Sequence, residues 1–513
     1  MGQSKKNKTK NNQRRRYHKA ASKGAKAGRN AVQKNAAPVS AGRRALLGGD
    51  VSGSYSKVVH GLISGGAYEY DLISLPPAND AAENAAALRS ILADARYDGF
   101  NVTVPYKRTV VELLDGLSEE AAALGAVNTV RREADGTLTG FNTDLYGFVQ
   151  MVGRARAEGR RAAVLGTGGA ASAAAEGLRR LGASEVVLVS RNASQAAQDD
   201  IPVLGYDELT SFAPAVLVNA TPVGMGALAE QSPLESLEAF PPETVVAIDL
   251  IYNPLRTRFL QDAAAAGAEP VSGLSMLIYQ AMQARDLWDA SKERTLRGVH
   301  DTAAQAAATI LKDQLNIVVI GMPGSGKSSI ARRLAKLMQR TFIDTDRLTE
   351  ELLGEPIPNV IRDPARGERH FREKEREAVC RACAGHGAVI ATGGGAVMDP
   401  VSRRAMRSNG IVVYLNRPIE MLAQRDRPIS QAKGVERIFE ERQATYEALA
   451  DLVVVNNRRF GATRTADGRM QSYNKDLNDF AAGLERQVDE YVTLCAQRIA
   501  GTAEPTQTRG KAQ

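Results

Sequence analysis

The strongest constraint on the fold is the octapeptide Gly321-Met-Pro-Gly-Ser-Gly326-Lys327-Ser328, which matches G-x-x-x-x-G-K-[ST]. It follows the apolar run NIVVIG at 316–321 and precedes SIARRLAKLM, an amphipathic helical pattern. A strand that passes into a helix through such a loop turns backbone N–H groups toward one point, where phosphate oxygens fit. The residues expected around the triphosphate of ATP are Gly324, Ser325, Gly326, Lys327, Ser328 and Ser329. Lys327 would reach the β- and γ-phosphates and Ser328 would hold Mg²⁺. A strand–loop–helix unit also commits its surroundings to a parallel sheet, because the chain must cross back over the sheet before pairing again. Short apolar runs fit that demand: VIAT at 389–392 and IVVYL at 411–415 follow the loop, and VVLVS at 186–190, VLVNA at 216–220 and VVAIDL at 245–250 precede it. The predicted class is α/β, with two parallel sheets and therefore two separable catalytic units.

A phosphate loop alone does not distinguish a kinase from other nucleotide hydrolases. Downstream, a strand ends in Asp344-Thr-Asp346; Asp344 is placed to help hold the metal and Asp346 to accept the proton of an attacking hydroxyl. Then come Gly367-Glu-Arg-His-Phe371-Arg372, the triplet Gly393-Gly394-Gly395, Arg425-Asp-Arg427-Pro, and Arg442 with Tyr446. A glycine triplet lets a small ligand approach the backbone, and converging arginines suit an anionic acceptor. Together these residues resemble shikimate kinase over approximately 313–500. The resemblance implies that Asp346, Arg372, Gly394 and Arg442 bind shikimate, the arginines at its carboxylate, and that Arg427 lies on the lid over ATP.

In the first half, Ala162-Ala-Val-Leu-Gly166-Thr-Gly168-Gly169-Ala170-Ala171 runs from a strand through a glycine turn into a helix, the layout of a dinucleotide-binding fold. The next strand ends at Ser190-Arg191. An NAD site usually has an acid there for the ribose 2′-hydroxyl; an arginine pairs instead with a 2′-phosphate and favours NADP(H). Upstream lie Asn101-Val-Thr103-Val-Pro-Tyr-Lys107, Gly125-Ala-Val-Asn128-Thr and Asn142-Thr-Asp144. A lysine and an aspartate beside a nicotinamide can relay a proton to an alcohol oxygen while hydride moves at the same carbon. With Ser54-Tyr-Ser56 and His60, Asn219-Ala-Thr-Pro-Val-Gly-Met225, Asp249-Leu-Ile-Tyr252-Asn-Pro and Gly273-Leu-Ser-Met-Leu-Ile-Tyr-Gln280, this set resembles shikimate dehydrogenase over approximately 45–295. The resemblance implies that Lys107 and Asp144 are catalytic and that Ser54, Ser56, Thr103, Asn128, Asp144, Tyr252 and Gln280 contact the substrate. Gly166, Gly168, Gly169, Ala170, Arg191, Met225 and Gly273 would serve the cofactor. Two positions depart from the family pattern: Lys57 stands where a proline is usual, and Arg191-Asn-Ala-Ser-Gln195 offers one guanidinium where NADP-specific members often have two basic residues, which relaxes the NADP preference.

The implied architecture is a two-domain dehydrogenase, an α/β substrate domain plus a Rossmann NADP domain, followed by a P-loop kinase with a parallel five-stranded sheet. Its expected boundaries are a basic disordered tail at 1–44, a shikimate-binding domain at 45–145 completed by the helix near 273–295, and a Rossmann domain at 146–272. A linker at 296–312, the kinase at 313–500 and a frayed tail at 501–513 complete the chain. Because the product of one unit is the acceptor of the other, the expected partners are 3-dehydroshikimate and shikimate; the sequence assigns no oligomeric state.

Composition bears on compartment and on the tail. Residues 1–44 carry 14 Lys or Arg and no acid, so the remainder has 52 basic residues (66 less 14) against 58 acidic, and the overall +8 belongs to the tail. Like charge and few large apolar groups point to disorder, with phosphate neutralisation on nucleic acid as the alternative. Cys380, Cys383 and Cys495 do not make a disulfide framework, and the Cys380–Cys383 pair lacks the partners of a zinc site. With no membrane-length apolar run, a cytoplasmic enzyme is expected.

Overall fold

The computed structural model describes residues 42–193, 201–237, 240, 245–289, 296–363, 366–422, 434–457 and 473–502. Strands β1 (Gly42–Gly48), β2 (Tyr68–Ser74), β3 (Gly99–Val102), β4 (Gly116–Leu117), β5 (Thr129–Arg132) and β6 (Leu138–Phe141) form a mixed sheet in the order β2-β1-β3-β5-β6-β4. Its first strand begins at Gly42, inside the stretch expected to be tail. Arg43 and Arg44 are held there by Glu69 and Asp98, both at 2.6 Å, so these two charges belong to the fold.

The second sheet contains β7 (Arg161–Leu165), β8 (Glu185–Val189), β9 (Val203–Leu204), β10 (Val216–Asn219), β11 (Val246–Asp249) and β12 (Glu269–Ser272). It is parallel throughout, in the order β12-β11-β10-β7-β8-β9, the doubly wound Rossmann arrangement. Its strands β7, β8, β10 and β11 read as nearly continuous apolar runs because helices cover both faces. The third sheet, β13 (Asn316–Ile320), β14 (Phe342–Asp344), β15 (Val389–Ala391), β16 (Gly410–Asn416) and β17 (Leu452–Val455), is also parallel, in the order β14-β15-β13-β16-β17. The expected class therefore holds: a two-domain dehydrogenase followed by a five-stranded P-loop unit. Among the described residues no helix is long and apolar enough to cross a membrane.

The stretch 296–312, expected to be a linker, is most of the helix Leu296–Gln314. Ala303, Ala306, Ala307, Ile310 and Leu311 are buried, at i, i+3, i+4 and i+7 spacing, in one core shared with Tyr55, Val59 and Leu277 of the first unit and Ile317, Val319 and Leu484 of the second. The two units are fused through this core.

The second unit docks by the edge where its strands begin. Asn409, just before β16, accepts from the Leu255 amide at 2.8 Å and donates to the Asn253 side chain at 3.3 Å. The Ser408 carbonyl accepts from the Arg256 amide at 3.0 Å, and Asp451, before β17, takes the Arg256 guanidinium at 3.2 Å. His386, before β15, sets its ring edge-on to Tyr55 with centroids 6.4 Å apart. At the last helix, Tyr279 and Ser275 donate to the carbonyls of Ala500 and Ile499 at 2.8 and 2.7 Å.

Candidate active sites

In the first unit Lys107 lies just beyond β3, and Asp144 opens the helix Asp144–Val152. Their side chains meet at 2.5 Å and are largely withdrawn from solvent, which strengthens the pair over one at the surface. Asn128 fixes the other carboxylate oxygen of Asp144 at 2.8 Å and reaches Thr143 Oγ1 at 3.0 Å. The Thr143 amide returns a bond to Asn128 Oδ1 at 2.7 Å, and Gln280 Oε1 accepts from the Thr143 hydroxyl at 3.3 Å. The lysine thus has one preset partner, and that partner is itself held in place.

Ser54, Ser56 and Tyr252 form a second group. Ser54 Oγ lies 3.0 Å from Ser56 Oγ and 3.1 Å from the Tyr252 hydroxyl, and the Tyr252 ring packs on Tyr55 with centroids 5.4 Å apart. Among the described residues no hydrogen bond joins the two groups. Thr103 follows β3 and packs its methyl over Gly48. His60, beside the serines in sequence, turns away from them: it is wholly buried, stacked on Tyr70 at 4.0 Å and bonded to the Tyr68 hydroxyl at 2.8 Å, and burial holds its pKa down to about 3.

The cofactor candidates gather at the C-terminal ends of the Rossmann strands. Gly166 follows β7 with φ 115°, and Gly168 precedes the helix Gly169–Arg180, whose first turn has no side-chain cap and so leaves its N–H groups for an anion. Ala170 lies in that first turn, and a Cβ on Gly169 would stand 3.7 Å from Lys107 Cβ, so the turn abuts the lysine. Arg191 is exposed beyond β8, Met225 is exposed beyond β10, and Gly273 follows β12 against the Leu250 carbonyl. The residues present fit a dinucleotide. Asp249, which the sequence presents only as one member of a motif, is wholly buried at the end of β11 and binds Thr257 Oγ1 at 2.6 Å and the Ile251 amide at 3.0 Å. Burial raises its pKa to about 6.

In the second unit a cavity of about 280 Å³ brings Gly324, Gly326, Lys327, Ser328 and Ser329 together with Asp346, Arg372, Glu375, Gly394 and Arg442, beside an apolar wall of Ile357, Ile361 and Phe371. Gly324 and Gly326 have φ of 89° and 96°, which lets the loop curl into a phosphate cradle. Lys327 Nζ lies 2.9 Å from the carbonyls of Gly321 and Met322. Ser325 differs from its neighbours: it is wholly buried beneath the loop and its amide donates to the Met322 carbonyl at 3.2 Å, so it is turned away from the cavity rather than toward a phosphate. Asn456, which no sequence motif marks, pins the Ser325 carbonyl at 3.1 Å. Asp344 is the N-cap of the helix Thr345–Leu353, accepting from the Asp346 amide at 3.2 Å, and is not part of the cavity wall. Arg427 lies outside the described residues.

Glu375 is the main addition to the sequence reading. Its side chain is 4% exposed, binds Arg372 Nη1 at 2.6 Å, and has its pKa raised by burial against the opposing pull of Arg372. A Cβ on Gly393 would meet Glu375 Oε1 at 2.5 Å and Asp346 Oδ1 at 2.6 Å, which places both acids against the glycine triplet. Tyr446 donates to the Gly394 carbonyl at 2.5 Å and fixes the triplet from the other side. Among the described residues no group of three or more His, Cys, Asp or Glu could hold a metal ion, so a cation here would depend on ligands from a nucleotide besides Ser328 and Asp344.

A Rossmann unit with a buried lysine–aspartate pair, joined to a P-loop unit with an arginine-lined acceptor cavity, defines a two-site enzyme with oxidoreductase and kinase activities. Comparison with known proteins names the families. The profile of the shikimate dehydrogenase substrate binding domain matches residues 46–130, and that of shikimate kinase matches 323–466. A curated relative, shikimate dehydrogenase (NADP(+)) of Synechocystis sp., is 36% identical over 261 residues, covering 47% of this chain and 88% of its own. That of Synechococcus sp. is 37% identical over 279 residues, covering 52% and 94%. A solved shikimate 5-dehydrogenase from Thermus thermophilus superposes with a TM-score of 0.44 at 34% identity, covering 52% of this chain and 99% of that one. The chain belongs to the shikimate dehydrogenase family and carries a shikimate kinase domain after it, which gives it a bifunctional role in the shikimate pathway.

Proposed function

We propose that the first unit reduces 3-dehydroshikimate to shikimate with NADPH and that the second transfers the γ-phosphoryl group of MgATP to the 3-hydroxyl so formed. The observation that carries this reading is the pair of preset sites in one chain: Lys107 held by Asp144, and the phosphate loop facing Asp346, Arg372 and Arg442 across one cavity. The names of the relatives and the position of Arg191 support NADP(H).

In the first site a nicotinamide held over the glycine turn would supply hydride to the carbonyl carbon. Lys107 donates a proton to the carbonyl oxygen as negative charge gathers there, and Asp144 holds the ammonium aimed at it. Asn128 and Gln280 hold Asp144 and the ring hydroxyls, and Ser54, Ser56 and Tyr252 receive the substrate carboxylate through their hydroxyls. Thr103 closes the same wall. In the second site Arg372 and Arg442 clamp the carboxylate of shikimate, and Glu375 fixes the guanidinium of Arg372 in that posture. Asp346 accepts the proton of the 3-hydroxyl. Lys327 would exchange its two loop carbonyls for phosphate oxygens, and Ser328, with Asp344 lying just outside the cavity wall, would hold Mg²⁺ to offset charge on the phosphates.

The test is a coupled assay with 3-dehydroshikimate, NADPH and MgATP on the parent, Lys107→Ala and Asp346→Asn. Lys107→Ala is expected to lose reduction by about 10²- to 10⁴-fold and keep phosphorylation of added shikimate; Asp346→Asn is expected to do the reverse. If each change abolished both reactions, the two-site assignment would fail.

A further inference from the structure

We propose that the kinase unit builds part of the dehydrogenase's substrate site, and that Asn409 is a positioning residue for reduction although it lies in the kinase. This rests on the reading above that Ser54, Ser56 and Tyr252 receive 3-dehydroshikimate.

The segment after Tyr252 is held mainly from the other unit. Asn409 uses both ends of its amide there, accepting from the Leu255 amide at 2.8 Å and donating to Asn253 at 3.3 Å. The Ser408 carbonyl takes the Arg256 amide at 3.0 Å, and Asp451 takes the Arg256 side chain at 3.2 Å. The clamp holds residues 253, 255 and 256, and Thr257, next along the chain, is fixed to Asp249 by a hydrogen bond of 2.6 Å. The clamp therefore sets where Tyr252 begins. The Tyr252 hydroxyl is 3.1 Å from Ser54 Oγ, and its ring rests on Tyr55, whose other neighbour is the kinase ring of His386 at 6.4 Å. The kinase thus supports the substrate serines from two directions, through the loop behind Tyr252 and through the ring between the serines. No part of the kinase's own cavity is involved, since Asn409 and His386 precede β16 and β15 and the phosphate loop follows β13 at the opposite end of the sheet. A hydroxyl cluster that receives a carboxylate gains affinity when its members are fixed beforehand, because the ordering cost is met by the fold.

The test uses the full chain with Asn409→Ala and His386→Ala, measuring both reactions separately. Asn409 has φ −131° and its backbone bond to Asn316 survives the change, and His386 is exposed, so each variant leaves the fold intact. The expected result for Asn409→Ala is a rise of about 3- to 10-fold in KM for 3-dehydroshikimate, the effect of one or two hydrogen bonds, with kcat and KM for NADPH unchanged. His386→Ala raises the same KM by a smaller factor. Both kinetic constants for phosphorylation of added shikimate stay at parental values, which also reports that the variants are folded. Parental KM for 3-dehydroshikimate in both variants overturns the proposal. A parent that does not reduce 3-dehydroshikimate at all overturns the functional reading instead, and the proposal with it.

Discussion

Gly394→Ala tests the kinase cavity at its least forgiving point. A Cβ on Gly394 would lie 2.7 Å from both Cδ and Cγ of Pro323 and 3.0 Å from the Pro323 nitrogen. Carbon atoms in ordinary contact stand roughly 3.5–4.0 Å apart, so about 0.8 Å or more must be made up. Pro323 cannot rotate out of the way, because its ring is part of the phosphate loop's backbone, and Gly394 is tied to Tyr446 through its carbonyl at 2.5 Å. The loop itself must therefore move. A displacement near 1 Å in a positioned reactant costs about 10²-fold in rate, and overpacking of this kind costs about 1–3 kcal/mol in stability. The expected outcome is a fall of about 10²-fold in kcat/KM for phosphorylation, with reduction of 3-dehydroshikimate unaffected. Gly395→Ala is the matched comparison: there the Cβ meets the guanidinium end of Arg372, and a guanidinium on a flexible stem can yield. That variant should raise KM for shikimate and spare KM for ATP. The two reactions would be followed separately, by NADPH absorbance and by ADP release from added shikimate. Parental phosphorylation kinetics in Gly394→Ala would refute the reasoning, since the cavity would then be wider than the structure has it.

Arg191→Ala is expected to lower kcat/KM for NADPH by about 10- to 100-fold and leave that for NADH unchanged, the range of one charge-assisted bond to the 2′-phosphate; steady-state kinetics with both cofactors checks it. Asp249 gives a pH signature: its folded pKa is raised to about 6, so its contribution to stability is present below about pH 4 and is lost as pH rises through 6. Asp249→Asn should therefore be more stable than the parent by about 2–3 kcal/mol at pH 7.5, with the gap narrowing to about 1 kcal/mol at pH 4.5 and closing below about pH 4, as read from urea midpoints. At the seam between units, Asp451→Ala should cost more than Arg256→Met, by about 1–2 kcal/mol in urea unfolding. The first strands the Val412 amide and the Tyr491 hydroxyl as well as the guanidinium, and the second leaves Asp451 with both of those partners.

Both glycine loops are legible in the sequence because their chemistry is local: the strand, the turn and the helix are adjacent along the chain. The acceptor arginines and the Lys107–Asp144 pair are legible only jointly, since each residue alone has an ordinary surface reading. Glu375 is not, because GERHFREKERE offers acids at several positions three or four residues from a base, and only burial separates the one facing Gly393 from those facing water. Arg43 and Arg44 look continuous with the basic tail because their partners, Glu69 and Asp98, are 26 and 54 residues away. The alanines at 303–307 announce a helix but not its burial, since small side chains become core only when two other elements arrive to cover them.

Strand direction in the third sheet sets the seam and the cavity at opposite ends. β13, β15, β16 and β17 all begin at the seam with the first unit and end at or beside the cavity, so the cavity lies about 17–23 Å from the seam along the five to seven residues of β13 and β16. That sheet is packed on both faces, so no passage runs through it from the seam to the cavity. Covalent fusion here guarantees that the two units are always present in equal numbers.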